Sequence, residues 1–174
     1  MPGYTDTLCL IAARRTRRPA RPFPALDALF RRLAHCPGQD EASVTEDRIW
    51  DLWMYHPHRS AAEALELATR DIAARRYDIA ETRLHRLLRC VPDFAEAWHK
   101  RATLYYLLEY DEPCVLDLRR TLELEPRHFG ALCSFGEILL GDHQEEAARY
   151  AFSCALSLHP HLARAREVVG GARS

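Results

Sequence analysis

The feature that most constrains this chain is a period. Pro92, Pro126 and Pro160 stand 34 residues apart, and each closes a segment of similar layout. Counted back from each proline, Leu88, Leu122 and Leu156 share one column, and Leu84, Leu118 and Phe152 a second. Ala80, Cys114 and Ala148 form a third column of small residues. A fixed period of this length marks an array of helical hairpins, each too small to bury its apolar face alone. The copies run over 61–94, 95–128 and 129–160. The fold class this implies is all-α, a right-handed helical-hairpin solenoid.

Each copy reads as two short helices with a turn between them. In the middle copy Trp98, Ala102 and Tyr105 mark the packed face of the first helix, with Arg101 among them. Cys114, Leu118 and Pro126 follow at the expected offsets. Pro113 falls in the first turn of the second helix, where a missing N–H costs little. Gly136 and Ala148 are the small residues that let the third pair of helices approach closely. The first copy departs on one face, with Asp71 where the others have Tyr105 and Leu139. Arg101 is expected to lay its stem on apolar neighbours and pair its head with Asp71 or Asp117.

Ahead of the repeats, Leu26, Leu29, Phe30 and Leu33 recur at helical spacing, and Cys36-Pro-Gly ends that helix. A second helix is expected from about Ser43, with Glu46 completing a capping box, and His56-Pro-His breaks it. Residues 25–60 therefore read as a helical hairpin that packs on the repeats and caps the first one, with Trp50 and Trp53 as packing residues. Residues 1–24 hold one Asp and, after a short apolar run, five Arg. They read as a disordered basic tail or a vestigial targeting segment, since the charges follow the apolar run where a secretory signal has them first. After Pro160, residues 161–174 supply a short closing helix and a frayed end.

Composition narrows function. Residues 61–160 carry twelve basic and seventeen acidic side chains, which argues against a nucleic-acid-binding stripe. No run approaches the ~18 apolar residues of a membrane span. The six cysteines have no zinc-like spacing, and a reducing, cytoplasmic location is the simpler expectation, with export the alternative. Gly-rich phosphate loops, GxSxG and HExxH are all missing from the sequence, so no enzyme, metal or cofactor is expected. His56-Pro-His58 and His159-Pro-His161 read as turn residues.

The segments EAWHKRATLYYL and LEPRHFGALCSFGEI, with the period and the small-residue columns, resemble small bacterial tetratricopeptide-repeat (TPR) proteins, a group mostly of unassigned function. Arg101, Ala102 and Leu118 depart from that pattern, where Leu, Gly and an aromatic are usual. The resemblance implies a concave groove lined by the first helices, where partner peptides bind. His99, Thr103 and Tyr106 fall on that face in the middle copy, Leu65 and Thr69 in the first, and Cys133 and Glu137 in the third. Glu66, Lys100 and Ser134 lie at its margin. The chaperone-binding variety of the family holds a terminal carboxylate with a Lys/Asn/Arg set. Here Leu65, Thr69, His99 and Thr103 occupy those places, so that specificity does not carry over. The expected function is a non-enzymatic adaptor that takes a peptide or helix of another protein. The alternative is an assembly protein that self-associates, as a homodimer for instance, through its convex face or carboxy-terminal edge.

Overall fold

The computed structural model describes residues 2–16, 19–20 and 22–171. Three antiparallel hairpins make its body: α4 (Arg59–Ala73) with α5 (Tyr77–Cys90), α6 (Ala95–Leu107) with α7 (Asp111–Leu124), and α8 (Phe129–Gly141) with α9 (Glu145–Leu156). Each first helix also packs on the second helix before it, α6 on α5 and α8 on α7. The short α10 (Ala163–Gly170) lies on α9 in the same way.

Local rules explain how the hairpins close. Arg75, Glu109 and His143 adopt positive φ (57°, 60° and 57°), one per hairpin and 34 residues apart. The amide after each donates to a carbonyl five residues back, as Tyr110 N does to Tyr105 O at 2.9 Å. This is a Schellman ending, and it recurs although none of the three residues is glycine. At the helix crossing of the third hairpin a Cβ on Gly136 would sit 2.7 Å from Phe152 Cε2, so only glycine fits there. Arg101 grips Asp117 with two hydrogen bonds of 2.7 and 2.9 Å, and Asp71 is held instead by Arg76 and Arg83.

The solenoid ends differently at its two extremities. Ala97, Ala131 and Ala165 share one column and are completely buried where a first helix meets the preceding second helix. In that register the first hairpin has Glu63, and where Leu104 and Ile138 are buried it has Arg70. Both are exposed and ion-paired along their own helix, to Arg59 and Glu66. The amino-terminal end of the stack is therefore solvated by its own side chains. At the other end Ala165 places α10 in the register of a further first helix.

The amino-terminal segment is not a disordered tail. Residues Pro2–Ala12 form α1, which packs on α7 and α9. Tyr4, Thr7 and Ile11 are buried at helical spacing, with the Tyr4 ring edge-on to Phe135 and Gly3 against Val115. Asp6 accepts from Arg119, and Arg14 donates to Ser157 at the far end of the same face. The expectation rested on the Arg cluster, part of which lies outside the described residues. It overlooked Tyr4, Thr7 and Ile11 as a buried stripe. The chain then crosses the edge of the stack, where Ala20 N donates to Leu124 O, and enters α2 (Pro24–Ala34) and α3 (Gln39–Met54).

The α2–α3 hairpin does not cap the first repeat. It lies across the first helices, with Phe30, Trp50 and Trp53 all against Phe129 at the start of α8. Leu26, Phe30, Leu33, Ile49 and Trp53 thus join one core with α6 to α10, while α4, α5 and part of α6 form a second cluster. The helix start also differs from the expected Ser43. Gly38 is the N-cap of α3, and Glu46 is drawn away from any capping box by two partners described below.

Candidate functional site

The inner face is built from the second turns of successive first helices. Leu65, His99 and Cys133 follow one another at 34-residue intervals, and α3 runs over them. The Trp50 ring stacks on His99 with centroids 5.8 Å apart and planes at 21°, and Lys100 Nζ lies 5.4 Å from it. Beneath it a Cβ on Gly130 would meet Trp50 Cη2 at 2.7 Å. Trp53 stacks on His128 more closely, at 4.1 Å and 8°. Glu46 accepts from Trp50 Nε1 at 3.2 Å and pairs with His159 Nε2 at 3.0 Å. His161 Nε2 meets Cys36 O at 3.0 Å, tying the α2–α3 turn to the start of α10.

A buried polar cluster lies under the tryptophans. Glu96 is fully enclosed and contacts His128 Nε2 at 2.8 Å, Lys100 Nζ at 3.1 Å and His99 Nδ1 at 3.5 Å. Burial by itself would raise its carboxyl pKa, but the charges and hydrogen bonds of His99 and His128 hold it well below the usual carboxylate range. Burial, then the neighbouring His99, push His128 down to about 4. His128 is also the N-cap of α8, where its Nδ1 accepts from Ala131 N at 3.0 Å. That hydrogen bond assigns the proton to Nε2, which donates it to Glu96.

This assignment decides what the cluster can do. One carboxylate and two imidazoles within 4.8 Å are a donor set that suits a divalent cation. To ligate through Nε2, the atom that faces Glu96, His128 would have to carry its proton on Nδ1. Here Nδ1 faces a backbone N–H, and the Lys100 ammonium already neutralises Glu96. The cluster is a buried, internally satisfied ion network and not a set of metal ligands. Burial raises the Cys133 thiol to about 12, with Glu137 and Glu46 adding to it, so Cys133 is no thiolate nucleophile.

The residues expected to line the groove divide into two sets. Leu65 and His99 are buried, and Cys133 and Ser134 are half-buried. Lys100 is spent on Glu96 and Trp50, and Glu137 on Arg164 at 2.8 Å. Glu66 is exposed but paired with Arg70. Toward the other end of the same helices the surface is open. Thr69 and Thr103 hydroxyls bond back to Leu65 O and His99 O, and Tyr106 is 46% exposed beside Leu107 at 47%. Sequence reasoning missed Glu46, Trp50, Trp53, Glu96, His128 and His159 as parts of the inner face. The available signal was a helix with two tryptophans and an acid at i, i+4 and i+7 and no assigned partner. A cleft of about 740 Å³ lies elsewhere, between α4 and α5. It is lined in part by Ala64, in the register of Trp98 and Leu132.

With hairpin, period and inner face described, the class is clear: the fold is that of a tetratricopeptide-repeat protein. Among curated proteins the chain is similar to a TPR repeat-containing protein of Rhizobium etli, 29% identical over 148 residues, spanning 85% of this chain and 72% of that one. Among solved structures it is similar to the first TPR of Spaghetti (RPAP3) bound to an HSP90 peptide, SRMEEVD. That match has a TM-score of 0.59 and 19% identity, covering 66% of this chain and 94% of that one. It is also similar to MamA, with a TM-score of 0.54 and 19% identity, covering 83% and 80%. No family model matches the sequence. Among the described residues, no helix is long and apolar enough to cross a membrane.

Proposed function

We propose that this protein is a non-enzymatic interaction module that receives a peptide or helix of another protein on the part of the inner face that α3 leaves open. The observation that carries this reading is the division of the inner face. One half already holds a helix, while the other presents Thr69, Thr103, Tyr106 and Leu107 with apolar side chains half exposed. Such a surface suits shallow burial of side chains from an extended or helical segment. The HSP90 peptide in the Spaghetti structure is acidic. The open half here presents Thr69, Thr103, Tyr106 and Leu107, all uncharged, which supports a less charged ligand. None of the six cysteines, all among the described residues, is in a disulfide, in keeping with a reducing compartment.

The test is a photo-crosslinking residue placed at Tyr106, with a second at Arg75 as control. A crosslink to another protein from position 106 alone, lost when Thr69→Ala/Thr103→Ala is added at an unchanged melting temperature, is the expected result. A crosslink to a second copy of this chain would replace the adaptor by self-association. No crosslink, or an identical one from Arg75, would refute the open half as a docking surface.

A further inference from the structure

Four of the joints between the α2–α3 hairpin and the repeats are made by histidine. Trp50 rests on His99, Trp53 on His128, Glu46 on His159, and the Cys36 carbonyl on His161. Two of these, His128 and His159, are completely buried. Both are locked in the same tautomer. His128 Nδ1 accepts from Ala131 N, and His159 Nδ1 accepts from His161 N at 3.3 Å. Each therefore carries its proton on Nε2 and gives it to a carboxylate, Glu96 in one case and Glu46 in the other. A second proton has only Nδ1 to go to, and there it would face a backbone N–H. Protonation of His128 breaks that backbone hydrogen bond.

We propose that the α2–α3 hairpin is an acid-released clasp on the inner face, closed while His128 is neutral and opened when it is protonated. The charged groups around it do not cancel this. His128 faces Glu96, His99 and Lys100, all on α6, while α3 presents only the Trp50 and Trp53 rings to it. The single carboxylate there is already shared with Lys100. His159 faces Glu46 from α3, Phe129 from α8 and His161 on its own turn. The first hairpin lacks this dependence. Its core is Ala61, Leu65, Ala68, Ala80, Leu84 and Leu88, and the buried His56 meets that cluster at Phe94, just after the end of α3. Opening exposes Leu65, His99 and Cys133, which the closed state covers, so the inner face gains a second half in acid. This holds whether or not the half around Tyr106 binds a partner.

Hydrogen exchange on the full chain, read by mass spectrometry at about pH 7.5 and about pH 5 and corrected for intrinsic exchange, tests it. Amides of α3 are expected to lose protection by about tenfold or more in acid, while those of α5 change by less than about threefold. Equal loss in α3 and α5 would mean global unfolding, and no loss in either would mean no switch; both overturn the proposal. A His128→Asn/His159→Asn variant keeps an acceptor for each backbone N–H and cannot titrate. It is expected to hold α3 protected at the lower pH, and release like wild type would also overturn the proposal. Should that variant not fold, the wild-type comparison of α3 with α5 decides alone.

Discussion

Replacing Gly130 by alanine tests the placement of α3 through the sign of its effect. Gly130 is the second residue of α8, and in a helix alanine is favoured over glycine by up to about 1 kcal/mol. With the hairpin capping the first repeat, this site would be open and the substitution would stabilise the protein. With α3 over the inner face, the new Cβ lies 2.7 Å from Trp50 Cη2 and 3.3 Å from both Trp50 Cζ2 and His99 Cε1. The indole tip cannot simply swing aside, because Trp53, His99, His128 and Phe129 surround it at ring-centroid distances of 5.1–5.8 Å. Overpacking of this kind costs about 1–3 kcal/mol, which outweighs the propensity gain. Urea unfolding followed by circular dichroism is therefore expected to show Gly130→Ala destabilised by ~1–2 kcal/mol. In a Trp50→Phe background the clashing atoms are gone, and the same substitution should become neutral or favourable. Stabilisation in the wild-type background, or an equal cost in both, would refute the placement of α3.

Other expectations follow from single features. Ile11→Ala removes a side chain that is 1% exposed between α1 and the repeats, and should cost about 2–4 kcal/mol in a denaturant titration; no loss would return residues 2–12 to a loose tail. Glu109→Gly relieves a positive φ of 60° and should raise stability by roughly 0.5–1 kcal/mol, seen as a higher thermal midpoint. Arg101→Leu strands the buried Asp117, whose carboxyl burial already raises despite its partner, and should cost about 3 kcal/mol, largely restored by adding Asp117→Leu. The pH dependence has a definite sign. His128 titrates near 4 when folded and near 6.5 when unfolded, so its contribution is complete above about pH 6.5 and is lost as pH falls toward 4. The loss approaches ~3 kcal/mol and should flatten in His128→Asn; unchanged slope in that variant would exclude His128 as the cause.

The period made the repeats legible because a solenoid writes the same packing problem several times. Ala97, Ala131 and Ala165 answer one problem, and Ala102 and Gly136 another, so each copy corroborates the rest. The Arg101–Asp117 pair was also within reach, since a buried guanidinium needs an acid and the hairpin turn brings Asp117 alongside. The amino-terminal fifty residues had no second copy to compare. Tyr4, Thr7 and Ile11 are a complete helical stripe, but the arginines that follow dominate a reading by composition. The open part of the candidate site was legible from the spacing of Thr103 and Tyr106. Its covered part was not, because His99 and Lys100 on a helix surface look the same whether water or Trp50 lies above them.

The first hairpin explains why an amino-terminal hairpin could be used this way at all. A repeat array must close its ends, and that need made a capping role for residues 25–60 the natural expectation. Glu63 and Arg70 remove it. They place charges where the later copies bury Ala97 and Leu104, and their pairing with Arg59 and Glu66 leaves that face content in water. The apolar stripe of α2 and α3 must then be buried elsewhere. The inner face offers Phe129 and Gly130, which is small enough to lie under an indole, and histidines flat enough to stack. The polar end and the filled groove are two halves of one solution. Restoring apolar residues with Glu63→Ala/Arg70→Leu should create a sticky end without displacing α3. Concentration-dependent mass, with Trp50 and Trp53 fluorescence unchanged, is the expected result. A shift in that fluorescence would mean instead that the hairpin moves to whichever apolar face is offered.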